Sequence, residues 1–170
     1  MAFAASLAAG PFLARAKARY DPVDSSTLSF DSHSAVAPGA ALTLTLGGRV
    51  GTRLVVGGVM TLGVGSLPNR FTGDGESYSA LSVGPELALL PPPDGGPFAF
   101  ARGGVGKLNG LAWSAAVGGG YAFPMGERGL LGLGLQVHGV YSRHGEDGDF
   151  GTYTYKDELV GPALVARIML

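Results

Sequence analysis

The chain has 170 residues, of which 46% are hydrophobic and 15% are charged, and its formal net charge is -1. The hydrophobic content excludes a disordered chain, the balance of 12 Lys and Arg against 13 Asp and Glu argues against a nucleic-acid partner, and the absence of cysteine excludes disulfides and thiolate chemistry. The 30 glycines follow no three-residue period, which excludes collagen and leaves a glycine-rich β protein with a single domain over residues 1–170.

The first residues are apolar but lack the charge pattern of an export signal. Small residues flank a possible cleavage point at Ala14-Arg15-Ala16, yet no positive charge precedes Arg15. We therefore expect a mature chain whose export signal has been left off, and the alternative is a cytosolic protein that never had one. The longest uncharged stretch, residues 108–126, contains Asn109, Pro124 and three consecutive glycines, which excludes a membrane-spanning helix there.

An alternation of apolar with small or polar residues predicts β-strands along most of the chain. In one typical stretch Leu131, Leu133 and Leu135 alternate with glycines. The same alternation predicts eight strands, at residues 2–19, 36–46, 54–64, 80–89, 98–107, 111–123, 131–142 and 160–170. In the first strand the apolar positions change from odd to even, so we expect a β-bulge at Gly10-Pro11.

The connections are predicted to alternate in length. Long polar segments are expected at residues 20–34, 67–78 and 144–156, and short turns at residues 47–51, 91–97 and 124–129. The exception is a three-residue turn, Leu108-Asn109-Gly110, which keeps the odd positions of its two strands in register and places Gly110 in a left-handed conformation.

The apolar face of strands two to eight carries no charged residue, while the opposite face holds mainly Gly, Ala, Ser and Thr. A soluble barrel would place Lys and Glu on its wet face, so this pattern indicates apolar side chains in lipid and small polar ones in a lumen. Because every backbone group in lipid must be paired, the eight strands must close. The predicted fold class is therefore all-β, an eight-stranded antiparallel up-and-down transmembrane β-barrel.

Four aromatic residues support this orientation. Trp113 and Tyr141 are expected to point outward near the long-loop end, and Tyr121 and Phe123 near the short-turn end, as two aromatic girdles. The alternative is that they are ordinary core residues of a soluble lipocalin-like carrier, whose apolar face would line an internal ligand site.

The strand pattern, the loop asymmetry and several strand starts resemble the small outer-membrane β-barrel family of OmpA/OmpX type. The strand starts are Val83-Gly84-Pro85-Glu86, Val160-Gly161-Pro162-Ala163 and Gly118-Gly119-Gly120-Tyr121. The final strand resembles the C-terminal assembly signal of that family, with Leu170 where the signal has an aromatic residue. The resemblance implies a location in the bacterial outer membrane, with outer-membrane lipid and lipopolysaccharide as neighbours.

Charged residues on the predicted lumen face are expected to form ion pairs. Glu86 and Arg102 flank one turn symmetrically and should lie opposite each other. Two arginines, Arg53 and Arg167, are expected near the same end. At the other end of the lumen, three cations are expected to face Asp157 across the seam between the first and last strands, namely Arg15, Lys17 and Arg19. Because an eight-stranded barrel is just wide enough for side chains to fill it, we expect at most a narrow pore.

The remaining chemistry is sparse, and no metal site, cofactor or enzymatic activity is predicted. His138 is expected alone in the lumen and His144 in a loop, away from metal-site spacing. Some barrels of similar size are lipid A deacylases with outward-facing His, Ser and Glu, whereas His138 and Ser142 here share the inward face. We expect a monomer with a structural or surface-interaction role through residues 20–34, 67–78 and 144–156, and a lipid-modifying enzyme is the less favoured alternative.

Overall fold

Eight long strands make up most of the structure, a computed structural model that describes residues 2–22, 28–29, 33–69, 72, 74–126, 129–148 and 151–170. The strands are β1 (Ala2–Pro22), β2 (His33–Val50), β3 (Leu54–Pro68), β4 (Gly75–Leu89), β5 (Gly96–Lys107), β6 (Leu111–Met125), β7 (Gly129–Gly148) and β8 (Gly151–Met169). A two-residue segment, Leu28–Ser29, pairs with the end of β1. Within the described ranges, no helix is long and apolar enough to cross a membrane.

The sheet closes on itself. Each long strand pairs antiparallel with the next one along the chain, and β1 also pairs with β8 from Ala4 opposite Met169 to Pro22 opposite Gly151. Closure leaves no long strand with an unpaired edge. The predicted eight-stranded antiparallel up-and-down barrel is confirmed.

The strands extend further at the long-loop end than the sequence suggests. The expected loop at residues 144–156 is mostly strand, because β7 and β8 stay paired up to Gly148 opposite Gly151. Polar side chains predicted a loop, but they are compatible with a hairpin that stands in water. Of the other two long segments, 23–27, 30–32, 70, 71 and 73 lie outside the described residues. At the short-turn end β2 continues to Val50. The turn expected at residues 47–51 is therefore found at residues 51–53.

The bulge expected in β1 is wrong. The register between β1 and β2 is unbroken, with Gly10 opposite Gly39 and Pro11 opposite Pro38, and the even-numbered side chains from Ala2 to Ala18 all face the interior. The prediction failed because Ala and Gly occupy both faces of β1, so the apolar positions do not identify the outward face. Phe12, an apolar residue in the lumen, shifted the predicted phase by one residue.

Prolines interrupt the closing seam. Pro11 is opposite Pro38 on β2, and the pairing of β1 with β8 passes from Ala9 opposite Leu164 to Leu13 opposite Val160, which places Pro11 across from Pro162. All three prolines face outward. Because proline has no N–H to donate, the seam has fewer main-chain hydrogen bonds here than the rest of the wall.

The interior is filled by two apolar layers. The short-turn plug is the layer near the short turns and contains Val55, Phe98, Phe100 and Met169 among smaller residues. The long-loop plug is the layer near the other end and contains Phe12, Leu67, Leu108, Ala112 and Leu159. Polar and charged side chains lie between the two plugs, where they form the candidate site.

Candidate functional site

Three charged side chains from β4, β5 and β8 meet in the lumen, and we call them the lumen charge cluster: Glu86, Arg102 and Arg167. The register places Glu86 opposite Arg102, and Arg102 Nη1 lies 3.8 Å from Glu86 Oε2. Arg167 reaches across the barrel and donates hydrogen bonds to both Glu86 oxygens, from Nη1 to Oε2 at 3.3 Å and from Nη2 to Oε1. None of the three residues is more than 8% exposed. One carboxylate thus faces two guanidinium groups in a buried site.

Neighbouring side chains complete the surroundings of the cluster. Arg102 Nη2 donates a hydrogen bond to Gln136 Oε1 at 2.9 Å. The guanidinium carbons of Arg102 and Arg167 lie 5.1 and 5.0 Å from the centre of the Phe100 ring. Cations at this distance from an aromatic face are attracted by the ring quadrupole. Phe100 therefore stabilises both arginines.

Arg53 lies at the short-turn mouth. Its Nε donates to the main-chain carbonyl of Leu90 at 2.9 Å, so it stabilises a turn. Arg53 and Arg167 both line a cavity of about 380 Å³ that opens at this mouth. Of the two arginines that the sequence placed at this end, Arg167 contacts the carboxylate and Arg53 caps main chain.

The prediction that three cations face Asp157 in the lumen at the long-loop end is wrong. Arg15, Lys17 and Arg19 are exposed on the outer face, because β1 has no bulge, whereas Asp157 is buried inside. The inward residue opposite Asp157 on β1 is Ala16. Asn109 Nδ2 donates to Asp157 Oδ2 at 3.4 Å.

The turn between β5 and β6 closes the long-loop end. Leu108 is fully buried, and its carbonyl accepts a hydrogen bond of 2.6 Å from Ser142 Oγ. The left-handed residue of this turn is Asn109, with φ of 53°, and not Gly110 as the sequence suggested. Asn tolerates this conformation better than most residues. Apart from its inward position on β7, no sequence feature pointed to Ser142 as the residue that holds this turn.

Two of the histidines, His138 and His144, pack against aromatic rings. His138 is buried beside Phe12, with ring centres 6.2 Å apart, and His144 packs on Tyr155 at 4.8 Å. No group of three His, Asp or Glu residues that could hold a metal ion occurs in the part of the chain that the structure describes. Ser142 and His138 are both buried inside the barrel, so these two residues do not form an outward-facing Ser–His pair.

Large apolar residues are exposed on the outer face of every long strand. The four residues of the expected girdles are exposed, with Trp113 opposite Tyr141 and the rings of Tyr121 and Phe123 5.1 Å apart. The exposed large apolar residues on β7 include Leu133 at 52% and Leu135 at 61%. The soluble-carrier alternative required this face to line the interior, so it is wrong.

Comparisons with known proteins find similarity at the level of structure. No protein-family model matches the sequence, and no curated protein matches it. Solved structures similar to this chain include Neisserial surface protein A, with 12% identity, a TM-score of 0.44, and coverage of 100% of this chain and 98% of that chain. Ail, the attachment invasion locus protein of Yersinia pestis, has 12% identity and a TM-score of 0.34, with coverage of 95% of this chain and 97% of that chain.

Proposed function

We propose that this chain is an integral β-barrel protein of the bacterial outer membrane, with a structural or surface-interaction role. The observation that carries the proposal is the inverted distribution of side chains. Large apolar residues are exposed on every long strand, whereas Glu86, Arg102 and Arg167 are buried. Soluble monomers rarely expose a continuous apolar patch larger than a few hundred square ångströms. A lipid bilayer is the environment in which such an outer face is stable.

The filled lumen favours a structural or interaction role over transport. A solute would have to pass the short-turn plug, the lumen charge cluster and the long-loop plug, in which Phe100, Leu108 and Leu159 are at most 3% exposed. An eight-stranded barrel has just enough interior space for its own side chains. The proposed protein therefore conducts little or nothing in its resting state.

The long-loop end is the proposed surface for interaction. The β7–β8 hairpin extends to Gly148 and Gly151, well beyond the Trp113–Tyr141 pair that marks the expected membrane boundary. Outer-membrane barrels carry their longer loops on the extracellular side. Because the sheet is closed and has no free edge, the proposal includes a monomer surrounded by outer-membrane lipid and lipopolysaccharide.

Dependence on detergent tests the proposed function. We expect the refolded chain to show β circular dichroism and a single species by size exclusion only in detergent micelles or lipid vesicles, because water would otherwise contact the whole apolar face. The same sample diluted below the critical micelle concentration should aggregate. A monodisperse chain with native β signal in plain buffer would contradict the membrane function.

A further inference from the structure

The cavity of about 380 Å³ at the short-turn mouth is not used by the function proposed above, and we call it the mouth cavity. Its volume lies in the range of about 300–1,000 Å³ that is typical of small-molecule sites. Residues of β1, β2, β3, β4, β7 and β8 line it, so the barrel wall encloses it at its sides. The mouth cavity is therefore a concave site that opens at one end of the barrel.

One part of the mouth cavity is apolar. Val55, Ala88 and Met169 line it and belong to the short-turn plug, in which each is at most 5% exposed. Leu90 and Leu130 pack against the same plug and also line the cavity. An occupant of this part would replace water against apolar side chains, which favours an apolar group.

Three arginines line the same cavity. Arg49 lies on the face of β2 that holds the buried Thr45, Arg53 lies in the turn that follows β2, and Arg167 projects from β8. No aspartate or glutamate side chain is found among the described residues that line the cavity. A cleft that is lined by charges of one sign concentrates ions of the opposite sign.

The positive charge of these arginines is not neutralised by the protein. Arg53 donates from Nε to the Leu90 carbonyl at 2.9 Å and from Nη2 to the Pro97 carbonyl at 3.4 Å. These neutral partners hold the guanidinium in place and leave its charge unpaired. Within the described ranges, Arg49 and Arg53 make no ion pair.

The lumen charge cluster adds to the positive potential of the mouth cavity. Arg167 lines the cavity and shares the single carboxylate of Glu86 with Arg102. Two guanidinium groups and one carboxylate leave one positive charge in excess. The cavity thus has cations both at its exposed edge, where Arg49 lies, and in the buried part of the barrel.

We propose that the mouth cavity binds a small organic anion with an apolar body, such as an aromatic carboxylate. The carboxylate accepts hydrogen bonds from Arg49 and Arg53, because the planar guanidinium group matches the geometry of a carboxylate. The apolar body lies against Val55, Leu90 and Leu130. An inorganic anion would leave the apolar part unfilled, and a neutral apolar molecule would leave the arginines unpaired.

The proposed outer-membrane function bears only on the compartment from which the ligand comes. The short turns of outer-membrane barrels lie on the periplasmic side. Given that orientation, the mouth cavity takes its ligand from the periplasm.

Titration of the full-length folded barrel with three defined probes tests the assignment. The probes are 2-naphthoate, its neutral counterpart 2-naphthalenemethanol, and acetate, which has the same charge without the apolar body. Binding is followed in maltoside micelles by NMR, through the Nε–H signals of Arg49 and Arg53 and the methyl signal of Met169. We expect saturable shifts of all three signals with 2-naphthoate and much weaker binding of the other two probes.

Variants at the mouth separate the contributions of charge and of apolar contact. The combined variant Arg49→Gln and Arg53→Gln should bind 2-naphthoate roughly tenfold or more weakly. Arg49→Gln alone should also weaken binding, and Arg49 makes no contact that the fold requires, so this variant is expected to fold normally. Ala88→Leu narrows the apolar part and should weaken 2-naphthoate without changing the response to acetate.

The matched control is Arg143→Gln, which removes an exposed cation at the opposite end of the barrel. It should leave the affinity for 2-naphthoate unchanged, because any effect of net charge or of partition into micelles is the same in this variant. Each variant is checked for native circular dichroism before titration.

Three outcomes would overturn the assignment. They are equal binding of the neutral counterpart, equal binding of acetate, and an unchanged affinity for 2-naphthoate in the combined variant. All three leave the detergent requirement of the barrel intact. Failure of the membrane function would instead appear as a chain that stays folded without detergent.

Discussion

At the scale of single residues, Glu86 is the centre of the lumen. Arg167 donates to both of its oxygens and Arg102 approaches it at 3.8 Å, and all three side chains are buried. A buried charge is strongly unfavourable without a partner. Loss of Glu86 would leave two like charges facing each other, whereas loss of either arginine would leave one ion pair.

We therefore expect Glu86→Gln to lower the free energy of unfolding by about 3–5 kcal/mol. Coupling should be larger between Glu86 and Arg167 than between Glu86 and Arg102, because Arg167 makes two direct hydrogen bonds to the carboxylate. Double-mutant cycles with Arg167→Met and Arg102→Met, measured by urea unfolding from lipid vesicles, give both coupling energies. Additive effects in the Glu86–Arg167 cycle would show that this pair is not formed.

At the scale of elements, the turn between β5 and β6 connects the barrel wall with the long-loop plug. Leu108 points into the barrel because Asn109 adopts a left-handed conformation and because Leu108 N–H donates to the Gly110 carbonyl at 3.0 Å. Ser142 on β7 then fixes the turn from the neighbouring hairpin. One hydroxyl thus links two hairpins and closes the mouth.

Ser142→Ala should destabilise the protein by about 1–3 kcal/mol, because the buried Leu108 carbonyl would lose its partner. We also expect faster hydrogen exchange at the amide of Leu108, measured by NMR in micelles, since the turn can open more often. Ser34→Ala, at an exposed position on β2, is the matched control and should change stability by less than about 0.5 kcal/mol. Equal effects of the two variants would argue against a role of Ser142 in closing the mouth.

Period-two alternation was sufficient to predict the eight strands and the three-residue turn, since side chains of a strand must alternate between faces. It failed in β1, where Ala and Gly occupy both faces and neither face is distinguished. The pairing of Glu86 with Arg102 follows from a symmetric hairpin. The contact of Arg167 with Glu86 does not, because β4 and β8 approach each other only across the closed lumen, at a height that depends on the tilt of the strands.

At the scale of the whole molecule, the barrel has large apolar side chains outside and polar ones inside. Which side chains face outward can be measured directly. The chain has no cysteine, so single labels can be introduced without interference. Leu133 and Leu135 are exposed on the outer face, whereas Gln136 on the same strand is 2% exposed and faces the interior. Neighbouring positions on β7 thus report on different environments.

Spin labels at Leu133→Cys and Leu135→Cys should be reached by a lipid-soluble quencher in vesicles and hidden from a water-soluble one. A label at Leu111→Cys, near the long-loop end, should be reached more by the water-soluble reagent and serves as the depth control. The measurement is power-saturation electron paramagnetic resonance. If both mid-strand labels are shielded from both reagents, the leucines are internal and the barrel faces the other way.

The closing seam between β1 and β8 affects the order in which the barrel folds. Ala4 pairs with Met169, so the contacts of the seam join the two most distant parts of the chain. Ordering such a long intervening segment costs conformational entropy before any seam contact compensates it, and folding dominated by non-local pairing is slow. Pro11 and Pro162 lower the number of hydrogen bonds gained when the seam closes. Closure is therefore expected as the late, slow step of folding. The species that precedes it is an open sheet with two unpaired edges, for which self-association at high protein concentration competes with completion of the barrel.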